Sequence, residues 1–301
     1  MAVSNQTVMA IKSYQDKAHV LVNNYLLADP FIPYTSILVG VLAFKLVYDV
    51  TQLISSSYFK TYSSLTKIQR MEWNNRFVYV LLFHLPWLCQ SSLDLALSLI
   101  SRGISTVHAL FIAALALYFV FWSDLFADKT HLGPLTFRSS HFSTFGLGVS
   151  VGYFLSDIVM ILWLYPSMGG IEYVIHHSLS GIAVAYAMFT GEGQLYTYMV
   201  LISEVTTPEI NMRWYLDISG MKRSGAYLLN GIVIFFAWLV ARILLFVYMF
   251  YHVYLHMHQV NKMHIFGFLL VFLVPAVLSV MNLMWFGKIL KGLRKTLAKK
   301  Q

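Results

Sequence analysis

The stretch IFGFLLVFLVPAVLSVMNLMWF, residues 265–286, runs for 22 residues without a charged side chain. As a helix it is about 33 Å long, enough to cross the ~30 Å hydrocarbon layer of a bilayer. Six further predominantly apolar runs lie at 33–54, 104–122, 144–165, 173–190, 195–216 and 227–250. In lipid, backbone N–H and C=O groups must be paired within the membrane-embedded segment, which leaves helices as the spanning form. The sequence therefore predicts an all-α, polytopic membrane helix bundle with about seven transmembrane helices.

Composition points the same way. Of 301 residues, 58% are apolar and 11% charged, where a soluble domain carries about 25% charged residues. The mean hydropathy is +0.66. A soluble enzyme, a disulfide scaffold and a disordered hub are excluded, and one cysteine, Cys89, allows no internal disulfide. The net charge of +8 is spread in short patches between apolar runs, which is how a membrane protein sets its orientation. Nucleic acid is not an expected partner; membrane lipid is.

The patches assign sides. Lys288, Lys291, Arg294, Lys295, Lys299 and Lys300 make 288–301 a basic cytoplasmic tail, and counting back places Lys222 and Arg223 on the same side. An eighth run, 77–100, contains His84, Pro86, Gln90 and Asp94 and reads as a kinked span, an interfacial helix or a re-entrant segment. If it does not span, Lys60, Lys67, Arg70 and Arg76 are also cytoplasmic. The N-terminal segment 1–32, with its Asn5-Gln6-Thr7 sequon, is then lumenal. Lys12, Asp16 and Lys17 interrupt the early apolar residues, so no cleaved signal peptide is expected.

Charged groups inside such runs cost about 2.5–3.5 kcal/mol each at a helix centre, so each needs a reason. Lys45 and Asp49, four apart on the first span, read as a neutralised pair. His108 and Asp157 lie in the next two runs, and Asp157 has no charged neighbour three or four residues away. The dense cluster is in one hairpin: His176-His177 on one run, and Glu204, Thr207, Pro208, Asn211 and Arg213 on the next, joined by Gly191-Glu192-Gly193. Folding that hairpin about residue 192 sets His177 opposite 207–208 and Glu204 roughly 5–6 Å deeper. Pro208 is expected to free the Glu204 carbonyl from its helical bond.

His176, His177 and Glu204 are the candidate catalytic set, since histidine and carboxylate are the usual proton-transfer pair. Interhelical hydrogen bonding remains open as a purely structural reading. Asp157, Thr207, Asn211, Arg213 and His108 are candidate substrate-binding residues. No metal site is expected, because adjacent histidines diverge by about 100° on a helix. No nucleophile elbow, phosphate-binding glycine loop or Cys-x-x-Cys is present.

Taken together, Gly152-Tyr153-Phe154-Leu155-Ser156-Asp157, His176-His177, Glu204 with Thr207-Pro208, Asn211, Arg213-Trp214 and Asn230-Gly231 resemble the TLC domain. That domain is shared by ceramide synthases, translocating-chain-associated membrane proteins and small TLC-domain proteins of lipid homeostasis; the last look most similar. The resemblance covers 72–287 and implies a six-helix bundle around a central lipid-accessible cavity, usually in the endoplasmic reticulum. In ceramide synthases a histidine pair and downstream aspartates serve sphingolipid synthesis from acyl-CoA. Here the histidines carry over to His176 and His177, while the aspartate pair does not. Family members tend to run Glu-Trp-Asn-x-Arg directly into Ser-Thr-Val-His-Ala. In this chain 26 residues, 77–102, separate Glu72–Arg76 from Gly103–Ala109, and they read as a retained in-frame intron or an alternative exon.

The expected function is a multi-pass protein of lipid homeostasis that binds or acts on acyl lipid within the bundle. Two alternatives remain open: an acyltransferase with acyl-CoA as substrate and no cofactor, using the histidine pair as general base, and a membrane transporter or chaperone.

Overall fold

A computed structural model describes residues 31–58, 60–76, 104–127, 133–166 and 170–298. The eighth run, the sequon and the proposed insert 77–102 lie outside the described residues. Helix α1 spans Ile32–Tyr58 and leads through a short helix, Lys60–Ser64, to α2, Lys67–Arg76. Next come α3, Ile104–Leu117, extended by a π-turn Tyr118–Trp122, and α4, His141–Trp163. Helix α5, Ile171–Thr190, returns to a hairpin and α6, Gln194–Leu201. A 3-10 segment, Ile202–Thr206, joins α6 to α7, Thr207–Ile218. Helix α8, Gly225–Trp238, passes through a π-segment, Leu239–Leu244, into α9, Leu245–Leu255, and α10 runs Ile265–Ala298. No strand occurs among the described residues.

Five of these rods are long and apolar enough to cross a membrane: Ile32–Ser57, Ile104–Trp122, His141–Trp163, Gly225–Leu255 and Ile265–Ala298. The runs at 173–190 and 195–216 fall outside that set for two physical reasons. They carry the histidines, Glu204 and Glu209, and the second run is interrupted by its 3-10 segment. The run at 265–286 is the start of a helix of 34 residues, so most of the basic tail is helical.

Local chemistry sets the joints. Ser140 and Ser143 form a reciprocal cap at the start of α4, pairing N–H groups that a helix start leaves open. Gly191 and Gly193 sit at φ +75° and +71°, left-handed values that a side chain disfavours. They turn α5 back into α6, and Gly193 N donates to Thr136 O at 2.7 Å. Helix α1 packs on α4 with backbone against backbone. A Cβ on Gly152 would lie 2.5 Å from the Ile37 carbonyl oxygen, and one on Gly40 2.5 Å from that of Val149. Small residues permit this approach, which drives helix association in lipid.

At one end of the bundle, Tyr62 and Trp73 pack on Met212 and Tyr215, and Trp73 Nε1 donates to Ser55 Oγ at 3.0 Å. Asn211 Nδ2 donates to Ser105 Oγ and Thr106 Oγ1 at 2.8 and 2.9 Å. The end of α2 and the start of α3 thus both sit against α7, at the end that carries loop 219–224. At the opposite end, Leu135 N donates to Gln259 Oε1 at 2.6 Å and His264 N to Glu192 Oε2 at 3.2 Å.

Candidate functional site

Between α4, α5, α7, α8 and α10 lies a cavity of about 460 Å³, within the usual range for small-molecule sites. Its mouth is formed by Arg213 and Tyr227 with Lys288, Ile289 and Gly292 of α10; its depth holds Asp157, His176, His177, Glu204 and Arg242. A slot of about 50 Å³ shares Phe154, His176 and Glu204 with it and continues between α5, α6 and α10 as far as Gly193. Val184, Val200, Leu270, Val274 and Leu278 make that slot apolar.

Each polar residue is fixed from a different helix. His177 Nδ1 lies 3.0 Å from Asp157 Oδ2, with both side chains nearly buried. The two are in close contact, with Nδ1 off the alignment of a hydrogen bond. The carboxylate beside His177 is therefore that of Asp157 on α4. Glu204 is held otherwise: Thr207 Oγ1 donates to its Oε2 at 2.7 Å, and Arg242 Nη2 stands 3.9 Å from its Oε1. The Glu204 carbonyl that Pro208 was expected to leave open is taken by Thr207 N–H, because the chain tightens to a 3-10 turn just before the proline. His176 turns away from His177 at 82° between rings and meets Trp285 edge-on.

Of the residues singled out from sequence, His176, His177, Glu204, Asp157, Thr207, Asn211 and Arg213 all line the cavity. His108 does not. It is fully buried behind the wall, stacked on Tyr153 at 3.8 Å, with Nε2 3.1 Å from Ser150 Oγ. Arg213 Nη1 donates to Tyr227 O at 2.5 Å, and its guanidinium lies 3.5 Å over the Tyr227 ring. Gly231 makes room for it, since a Cβ there would meet Nη1 at 2.7 Å.

Sequence reasoning passed over Arg242. It is 4% exposed, in the π-segment of the fourth long rod; its Nε donates to Thr206 Oγ1 at 2.7 Å, and its guanidinium lies 4.6 Å over Trp238. The available signal was its isolation, as the one charge in the run 227–250. A lone charge in a span calls for a partner on another helix. Here the partner is Glu204.

This arrangement offers a base with an adjacent carboxylate (His177 and Asp157), a carboxylate–guanidinium pair (Glu204 and Arg242) and a cationic mouth (Arg213 and Lys288). An apolar slot leads away from them.

Residues 98–291 match the family model of the TLC domain. The chain is 28% identical over 204 residues to TLC domain-containing protein 4-B of Xenopus laevis, covering 65% of this chain and 74% of that protein. TLC domain-containing protein 4 of Homo sapiens is 28% identical over 202 residues, covering 66% and 74%. Over 277 residues, TLC domain-containing protein 4-A of Xenopus laevis is 24% identical, covering 90% and 95%. No solved structure gives a significant match. An integral membrane helix bundle with these motifs, matched by the domain model over 98–291, belongs to the TLC-domain family.

Proposed function

We propose that this protein serves lipid homeostasis by holding an acyl lipid in the bundle, its polar head among His177, Asp157, Glu204 and Arg242 and its chain in the slot between α5, α6 and α10. One observation carries the reading: a cavity of about 460 Å³ lined by His177, Asp157, Glu204 and Arg242 adjoins an apolar slot, the two sharing Phe154, His176 and Glu204 as walls. Ionisable groups at membrane depth are retained where they face such a cavity, and the slot offers methylenes the same apolar contact as bilayer does. Lipid extracted from protein purified in detergent and identified by mass spectrometry tests it. An acyl lipid at about one per chain is expected, lost when Val200 and Val274 are replaced by Trp to fill the slot. Equal lipid content in the filled variant overturns the reading.

The 3.0 Å His177–Asp157 contact favours a second reading, acyl transfer from acyl-CoA. His177 takes the proton of an amine or hydroxyl as it attacks the thioester carbonyl, the acyl–sulfur bond breaks, and the thiolate leaves to be protonated. Asp157 orients the imidazole and stabilises its charged form. A His177→Ala variant at normal abundance separates the two readings. Full rescue of the lipid profile of a null strain ends the catalytic one; retained lipid content with no rescue supports it.

For orientation we place the end carrying Lys222, Arg223 and Lys288 in the cytoplasm by the charge rule, with the protein in the endoplasmic reticulum as the sphingolipid-related members of the family suggest. The cavity mouth then faces cytoplasmic acyl-CoA. Protease protection of a C-terminal tag in sealed microsomes checks the side; a protected tag overturns it.

A further inference from the structure

Helix α1 contributes little to the cavity and shows most of its surface outward; only 17% of its apolar window is buried. Lys45, the middle residue of this 27-residue helix, is about 20 Å from either end. Its Nζ contacts Asp49 at 2.5 Å, and the two side chains are 66% and 52% exposed. Phe44 next to it packs on Tyr153, halfway along α4, so the pair sits near the middle of the bundle's depth and points away from it. Pairing cancels the net charge but satisfies few of the three ammonium donors and four carboxylate acceptor sites. Lipid supplies none of the rest.

The pair does not stand alone. Leu38, Leu42, Lys45, Asp49, Gln52 and Ser56 recur at alternating spacings of four and three, and all six are exposed. A repeat of 3.5 residues on one face is the pattern of a helix seam that meets another helix, and polar residues in such a seam set register. It differs from the buried face of Ser36, Gly40 and Phe44 that packs on α4.

We propose that this seam is the contact between two copies of the chain, paired about a twofold axis along the membrane normal. Two copies of one topology lie parallel, and an isologous contact sets each residue beside its own equivalent. Lys45 of either copy is then offset by four residues, ~6 Å along the axis, from Asp49 of the second copy, an offset that the long lysine side chain can span. The same two residues thus serve the helix internally and across the axis, forming a closed network of four charges. The charge pattern is self-complementary, so the occupant is a second copy.

The test uses full-length chains with two different tags, co-expressed and captured on one tag in native-membrane nanodiscs. Lys45→Asp gives a helix with two negative charges in the seam and Asp49→Lys one with two positive charges. Each variant alone is expected to lose at least tenfold in co-captured second tag relative to the natural chain, and the mixture of the two to recover it. A mixture no better than either variant alone overturns the proposal, as does a monomeric natural chain. If the charge variants fail to insert, a Leu42→Cys chain with Cys89→Ser is oxidised in native membranes. A disulfide dimer is expected, with at least tenfold less from Ala43→Cys, which is exposed but lies about 100° around the helix. No enrichment at Leu42 over Ala43 overturns it.

Discussion

The cavity wall and helix α1 both carry charges at membrane depth, and they handle them in opposite ways. Around the cavity, Asp157 and Arg242 are buried and Glu204 nearly so, all turned inward, and each is met by a group from another element. On α1, Lys45 and Asp49 are turned outward and meet each other on their own helix. The family match, 98–291, includes the first set and leaves α1 out. The inward charges line the cavity within the matched domain, and the outward ones lie on a helix outside the match. That difference makes strong, ordered demands on mutants.

The largest effect is expected at Arg242. Its replacement by Met leaves Glu204 buried without its cation and Thr206 without its donor, and breaking a buried pair costs about 3–5 kcal/mol. Thermal melting in nanodiscs should show the loss, and adding Glu204→Gln should recover part of it, because the uncompensated charge goes with it. An unchanged melting temperature for Arg242→Met would place the pair in the same class as an exposed one and erase the contrast.

Next comes the seam that holds the two regions together. Gly152→Val puts a branched side chain where a single Cβ already stands 2.5 Å from Ile37 O and 2.8 Å from Val41 N. Overpacking costs about 1–3 kcal/mol where neighbours shift, and backbone shifts less readily than side chains. Proteolysis should then cut the link between α1 and the rest faster than in the natural chain, while lipid content in the cavity is retained. Loss of the lipid instead would tie α1 to the site.

A smaller effect distinguishes the wall from what stands behind it. His108→Phe removes the contact to Ser150 Oγ but keeps a ring against Tyr153, so a cost of about 1 kcal/mol is expected, with lipid content unchanged. His177→Ala changes the cavity lining itself. If His108→Phe empties the cavity as well, His108 acts through Tyr153 on the site.

These cases also mark what the sequence made legible. Seven runs were enough for the class, and the hairpin about residue 192 put His177 and Glu204 on one wall, because hairpin geometry depends only on residue counts. Partner identity was not legible. Asp157 reaches His177 from a helix outside the hairpin, and nothing in spacing reveals how α4 is rotated about its axis. The same blindness placed His108 with the site, although it faces the other side of Tyr153. The break at 202–206 escaped because Pro208 was read as opening a bond, whereas the chain tightened one turn early and satisfied it.

The smallest effect gives the sharpest test of the outward pair. Lys222 and Asp217, in the loop end of α7, repeat the geometry of Lys45 and Asp49: 2.5 Å between charged atoms, with side chains 62% and 44% exposed. Only the medium differs, water in one case and lipid in the other. The hydrogen bond to Asp217, then its charge, hold the Lys222 ammonium above its ordinary 10.5. A raised lysine adds stability that is fully present below the ordinary value and fades as pH rises through the folded one. Lys222→Ala should therefore leave the melting temperature nearly unchanged at neutral pH, since exposed pairs in water contribute little, with any difference from the natural chain fading only above pH 10.5. Lys45→Ala makes the same truncation but strands Asp49 in hydrocarbon, where water cannot replace the lost partner. Its insertion and its co-capture of a second copy should both fall. Equal, negligible effects from the two truncations would mean that water reaches Lys45, and the midplane seam would lose its physical basis.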